Sequence, residues 1–356
     1  MSLSEAPFFP SQAARLGGLR VSAAPYFRAW LITLVLLVLV MVTVGGATRL
    51  TGSGLSITEW KPITGALPPL SQADWLKEFE LYRQSPQYKL LNAGMSLGEF
   101  KFIYWWEWGH RQLGRFIGLV MLGGFLIFLL AGAMRTRLAL ATFGLGLLLA
   151  LQGTIGWIMV RSGLQPGMIA VAPVKLTLHL TFAGFFFIGL VAMATHVGAF
   201  GAGRAEGHRV KLAAWLLVVG VVAQIALGGL VAGSRAGFTY NTWPLMDGAL
   251  VPAADKLFVM QPWLANFVDN PTLVQFNHRI GAYLLFAFAF WHALALRGTA
   301  LARRAWHLFG LVLAQGVLGI VTLLLVVPLW AGLAHQALAF LVLGYAVMHA
   351  MKMAPR

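Results

Sequence analysis

Four histidines, His110, His179, His278 and His335, each stand where a hydrophobic run begins, and they occupy matching places in two similar halves of the chain. Imidazole is a ligand for zinc, copper and haem iron, and two imidazoles meeting across a helix bundle suffice for axial haem ligation. Zinc fits less well, because neither half supplies a close cluster of three or four His, Asp or Glu ligands. The chain has no cysteine, which excludes disulfides, iron–sulfur clusters and thiolate-bound haem or zinc. A lone histidine in an apolar helix serves equally well to hydrogen-bond a neighbouring helix or to sit in the interface. Four at repeated positions point instead to two clamps built by duplication.

The neighbours of these histidines differ between the halves. Glu107 precedes His110 by three residues, which places a carboxyl about one turn away on the same helix face. The equivalent residue before His278 is Gln275, a neutral isostere. Chemistry is therefore expected in the first half and cofactor holding in the second, the other use of Glu107 being a pair with Arg111 or Arg115. Arg111 and Arg279 follow their histidines, where a guanidinium either contacts a haem propionate or marks the interface by snorkelling.

Such residues need helices to position them, and the composition says where those helices lie. Of 356 residues, 59% are hydrophobic and 10% charged, and the mean hydropathy is +0.77. This is the composition of an integral membrane protein. Apolar stretches near 28–47, 107–131, 138–160, 174–197, 210–232, 274–296, 304–327 and 329–350 are each long enough to cross a hydrocarbon core about 30 Å thick. Pro328 divides the last two. No small-residue cleavage site follows the first span, so it is expected to be retained. Arg135, Arg137, Arg204, Arg209, Lys211, Arg297, Arg303 and Arg304 fall in short loops on the side of the N-terminus. Both termini are therefore expected in the cytoplasm, and the long connections 48–106 and 233–273 outside. The formal charge of +15 is spread over loops and membrane edges, so it reflects topology and headgroup contact rather than nucleic-acid binding.

The duplication can be read in order. Val44-Gly45-Gly46 answers Leu227-Gly228-Gly229, Trp60-Lys61-Pro62 answers Trp243-Pro244, Gly65-Ala66-Leu67 answers Gly248-Ala249-Leu250, His110-Arg111 answers His278-Arg279, and Gln152-Gly153 answers Gln315-Gly316. An even number of spans per unit sends both copies into the membrane from the same side. The expected fold is an all-α integral membrane protein of eight transmembrane helices, as two tandem four-helix bundles related by pseudo-twofold symmetry about the membrane normal. Its parts are a cytoplasmic segment 1–27, a first bundle 28–200 with the substrate site and a second bundle 201–356 with the cofactor site. The double glycines are expected to allow close helix contact or to make room for a flat macrocycle.

The run Gly52-Ser53-Gly54-Leu55-Ser56-Ile57-Thr58-Glu59-Trp60-Lys61-Pro62-Ile63-Thr64-Gly65-Ala66-Leu67-Pro68-Pro69, followed by Glu107-Trp108-Gly109-His110-Arg111 and Asn277-His278-Arg279-Ile280-Gly281, closely resembles haem A synthase of the mitochondrial and alphaproteobacterial type over roughly residues 28–350. The resemblance implies an enzyme of the bacterial inner membrane that oxidises the C8 methyl of haem O to the formyl group of haem A, for assembly of haem-copper terminal oxidases. It implies haem b on His278 and His335, the substrate haem between His110 and His179, and Glu107 as the catalytic carboxylate. Haem O synthase, oxidase assembly factors and an unidentified electron acceptor would be its partners beside membrane lipids. Some bacterial members carry cysteine pairs in the outer loops, and this chain has none. An iron ligated by histidine on both faces has no open position for dioxygen, so water is expected as the oxygen source.

Two other functions use the same residues. His292 and His349 each follow a clamp histidine by 14 residues, which returns to nearly the same helix face about 21 Å deeper. A second haem there would make a transmembrane b-type electron carrier. The first half breaks the pattern, with Gly124 after His110 and His196 about 100° off the face of His179, so His196, His292 and His349 are read as residues of the cytoplasmic edge. A haem transporter or chaperone would use the clamps without turnover. His208 and His307 are read as solvated loop or interface residues.

Overall fold

The structure, a computed structural model, describes residues 15–16, 18–198 and 207–353. Arg204 and most of the N-terminal segment lie outside them. Backbone groups in hydrocarbon must be satisfied internally, and the chain meets that demand with helices. In order these are α1 (Ala24–Leu50), α2 (Gln72–Arg83), α3 (Pro86–Leu91), α4 (Leu97–Leu130), α5 (Thr136–Gly163), α6 (Pro173–Val197), α7 (His208–Gly233), α8 (Ala254–Leu257), α9 (Asn266–Asp269), α10 (Pro271–Ala295), α11 (Ala302–Leu324) and α12 (Leu329–Lys352).

Seven of the eight long helices are apolar and long enough to cross a membrane, and α10 is the exception. It has 25 residues, but His278, Arg279 and His292 dilute its hydropathy. Pro328 does separate the last two spans, as the N-cap of α12. The turn before it holds Val326 and Val327 at φ 57° and 55°, an uncommon region for β-branched residues. It is closed by the Val327 N–H donating to Thr322 O at 2.8 Å.

Helix α4 starts ten residues before the expected span. A capping box fixes that start: the Glu99 N–H donates to Ser96 Oγ at 3.3 Å and the Ser96 N–H to Glu99 Oε2 at 2.8 Å. Its 34 residues extend over about 51 Å, so the first turns rise above the bundle. There Phe100, Ile103 and Tyr104 pack with Ile57, Trp75 and Tyr82 into a small core of their own. The first long connection is thus a folded cap.

Helices α1, α4, α5 and α6 close a ring in which each packs on the next and α6 returns to α1; α7, α10, α11 and α12 close a second ring in the same way. The rings join through α1 with α12, α6 with α7, and α6 with α12. Exchanging the halves maps this set of pairings onto itself. Close approaches fix the directions. Along α1, Gly45 faces His110 and Trp30 faces Gly124, while Gly46 faces Gln336 and Leu50 faces Gly332, so α4 and α12 are antiparallel to α1. Gly229 faces Thr177 and Gly233 faces Pro173, while Gly228 faces His278 and Gly220 faces Leu285, so α6 and α10 are antiparallel to α7. The ends of α1 and α7 meet where Arg49 reaches Ala232 O. The ligand-bearing helices α4, α6, α10 and α12 consequently point the same way, with all four histidines toward one end.

The continuous apolar core fills the other end. It includes Leu31 and Leu34 of α1, Phe186 and Leu190 of α6, Leu217 of α7, and Phe340, Leu343 and Val347 of α12, nearly all inaccessible. The histidine end is instead built around glycine.

Candidate functional site

Each clamp histidine rests on a glycine of the preceding long helix. A β-carbon would lie 2.7 Å from His110 Cε1 at Gly45, 2.9 Å from His179 Cε1 at Gly156, 3.3 Å from His278 Cε1 at Gly228, and 2.8 Å from His335 Cε1 at Gly319. At Gly45, Gly156 and Gly319 any larger residue would force the ring to shift, and at Gly228 the ring would have to give by a few tenths of an ångström. His110 and His179 lie within electrostatic reach of each other, and so do His278 and His335.

A second component of the cradle escaped the sequence reading. Four residues before Gly156, Gly228 and Gly319 stand Gln152, Gln224 and Gln315. Their Nε2 atoms donate to the backbone oxygens of His179, His278 and His335 at 2.8, 2.9 and 3.0 Å. In the second half the same amides also approach the rings, at 3.1 Å from His278 Nδ1 and 3.2 Å from His335 Nδ1. In the first half Nδ1 of both His110 and His179 is buried without a hydrogen-bond partner among the described residues. The signal for this component was the Gln-x-x-x-Gly spacing, which puts both side chains on one helix face.

Glu107 is 3% exposed and fully engaged. Its Oε2 accepts from Ser56 Oγ at 2.8 Å and from the Ile57 N–H at 2.8 Å, while its Oε1 accepts from Arg111 Nη2 at 2.6 Å and Nε at 3.2 Å. Arg111 Nη2 and Nη1 continue to Ile57 O and Glu59 O at 2.8 and 3.1 Å. The carboxylate and guanidinium together pin the start of the outer connection to α4. Gln275 and Arg279 do the same in the other half. Gln275 Nε2 donates to Ala236 O at 2.8 Å, and Arg279 Nη2 donates to Tyr240 O and Thr242 O at 3.0 and 2.9 Å and to Gln275 Oε1 at 3.3 Å. Both arginines therefore spend donors on loop carbonyls, with Arg279 Nε left buried and unpartnered among the described residues.

His292 and His349 stand in the last turns of α10 and α12, at the helix ends expected of edge residues, but they are 1% and 0% exposed and so face the bundle interior. Their Nε2 atoms meet at 3.0 Å with the rings perpendicular. The matching 14-residue spacings put both on inward faces of helices that stand opposite each other in the second ring, and the closed core around them makes each the other's partner. His196 is exposed as expected, as are His208 and His307.

Among the described residues no group of three or more His, Cys, Asp or Glu could hold a metal ion. The two clamps fit haem, which asks for two imidazoles with nitrogens free to face the bundle interior. The glycine cradles, which give each ring its room against the preceding helix, meet a first requirement of such ligand pairs.

Comparison with known proteins agrees with this geometry. The chain is 60% identical to a heme A synthase of Methylobacterium sp. (strain 4-46) over 327 residues, covering 91% of each chain. It is 58% identical to the heme A synthase of Methylobacterium nodulans over 322 residues, 88% of each. It is 55% identical to that of Azorhizobium caulinodans over 326 residues, 91% of this chain and 93% of the relative. The model of one family, described as cytochrome oxidase assembly protein, matches residues 28–347. With its bundle, paired histidines and glycine cradles in that arrangement, the chain belongs to the cytochrome oxidase assembly protein family, COX15-CtaA.

Proposed function

We propose that this protein is a haem A synthase, which oxidises the C8 methyl group of haem O to a formyl group and so supplies haem A for terminal oxidase assembly. The first ring of helices takes the substrate, with His110 and His179 bracketing its iron; the second holds haem b on His278 and His335. The two rings are related by a pseudo-twofold axis along the normal of the bacterial inner membrane, α10 spans it as the eighth helix, and both termini lie in the cytoplasm. The observation that carries this reading is one cradle built twice, with an acid beside only one copy. The names of the relatives point the same way.

Haem b, when bound, supplies a one-electron relay between the substrate and an external acceptor. Two hydroxylations, each adding the oxygen of one water and removing two protons and two electrons, followed by loss of water, balance the conversion of methyl to formyl. Glu107 receives a proton at Oε2. The Ser56 hydroxyl that now donates to that atom can turn and accept from it, while Arg111 keeps Oε1 in place. The low dielectric of a buried site strengthens the effect of this carboxylate on positive charge developing at the methyl carbon. Isotope-labelled water provides the test: a formyl oxygen derived from dioxygen removes the water route.

The electron-carrier reading needs a second haem at His292 and His349. These two hydrogen-bond to each other through Nε2 at 3.0 Å in a closed core, and this pairing speaks against a second haem between them. Haem transport without turnover predicts that purified protein given haem O and an oxidant returns it unchanged; formation of haem A under those conditions rejects it.

A further inference from the structure

The glutamine that braces three of the four clamp histidines is missing at the fourth. Four residues before Gly45 stands Met41, where Gln152, Gln224 and Gln315 stand before Gly156, Gly228 and Gly319. Its Cε would lie 3.1 Å from a β-carbon at Gly114, one turn beyond His110 on α4. The side chain therefore lies over the same turn that the glutamines reach on the other ligand helices, and a thioether offers no N–H to donate there. Among the described residues His110 Nδ1 has no hydrogen-bond partner. Bracing of the ring is thus graded: an amide at both ring and backbone for His278 and His335, at the backbone alone for His179, and none for His110.

An imidazole that gives Nε2 to iron carries its proton on Nδ1 and is held in orientation by an acceptor at that atom. Gln224 Oε1 and Gln315 Oε1 are buried with no partner among the described residues, and a half-turn of either amide presents that oxygen to the ring in exchange for the bond to the histidine carbonyl. Nothing equivalent is available from Met41. We propose that these glutamines are positioning residues that set how long a haem stays: the second site is braced for a resident haem, and Met41 makes His110 the ligand that lets go, so that the first site can exchange its haem. This rests on the assignment of substrate and cofactor sites above.

The test is ligand exchange in the purified full-length protein, read by carbon monoxide binding to the ferrous form and by transfer of haem to excess apomyoglobin. The native protein should show a fast phase and a slow phase in both assays, the fast one accelerated further in His110→Ala, which removes the ligand that has to leave. Met41→Gln should slow the fast phase about 10- to 100-fold, the usual weight of a bracing partner of a metal-bound histidine, and leave the slow phase alone. Gln224→Met should speed the slow phase by a similar factor, and decides the matter by itself if Met41→Gln does not accumulate. Unchanged phases in the variant that folds, or a native protein in which the His110 site exchanges no faster than the other, overturn the proposal. Extraction of the same samples separates the two levels of inference: haem B alone in the first site sinks the synthase reading, while the exchange rates still judge the role of Met41.

Discussion

Over the first pair of histidines the outer connection is tied down by a carboxylate and a guanidinium; over the second it is tied down by an amide and a guanidinium. The anchor survives in both, with Arg111 and Arg279 each holding two or more loop carbonyls. Charge is therefore not needed to hold the loop. Its retention at Glu107 alone is the difference on which the proposed division between a site for chemistry and a site for a cofactor rests.

Glu107→Gln breaks the comparison most sharply, because it gives the first site the second site's residue. Haem A output should fall about 100- to 10,000-fold, the range for loss of a general acid–base group, with haem O accumulating and haem b content unchanged on pigment extraction. Unaltered output would leave Glu107 as a loop anchor only. Arg111→Ala strips the partner from a buried carboxylate and should cost about 3–5 kcal/mol, seen as early thermal unfolding in detergent. Arg279→Ala leaves only the neutral Gln275 behind and should cost about 1.5–3 kcal/mol; equal losses in the two variants would mean that the pairing of Glu107 adds nothing. The smallest contrast is between cradles. Gly45→Ala puts a methyl 2.7 Å from its ring and Gly228→Ala 3.3 Å, so the first should disturb haem spectra at its site more than the second, within the 1–3 kcal/mol typical of overpacking.

Much of this was legible in the chain because duplication prints each functional residue twice. The histidines, the switch from Glu107 to Gln275 and the double glycines were found by matching halves. The glutamine braces were half visible: Gln152 and Gln315 were seen as repeat markers, but only helix rotation in the assembled rings shows their amides reaching the histidine carbonyls. The grip of Glu107 on Ser56 and Ile57 was hidden for a similar reason, since the partners are some fifty residues away in a connection with no periodic pattern. The pair of His292 and His349 shows a limit of another kind. Periodicity told which face they occupy but not that the faces meet with no gap for a cofactor. Hydropathy sets α10 apart from the other seven long helices because the residues proposed to equip it for ligation are the ones that make it polar.

Each double glycine serves two sites at once. Gly45 backs His110 while Gly46 lies against Gln336, the residue after His335; Gly228 backs His278 while Gly229 lies against Thr177, two residues before His179. Gln336 Nε2 in turn donates to Val42 O at 3.0 Å, and Arg49 reaches across to Ala232 O. The halves thus share party walls, and His110 and His278 are each seated on backbone that also shapes the other half. A duplicated gene whose products lean on each other in this way cannot be parted without unroofing both, which gives a physical reason for the two copies to stay on a single polypeptide.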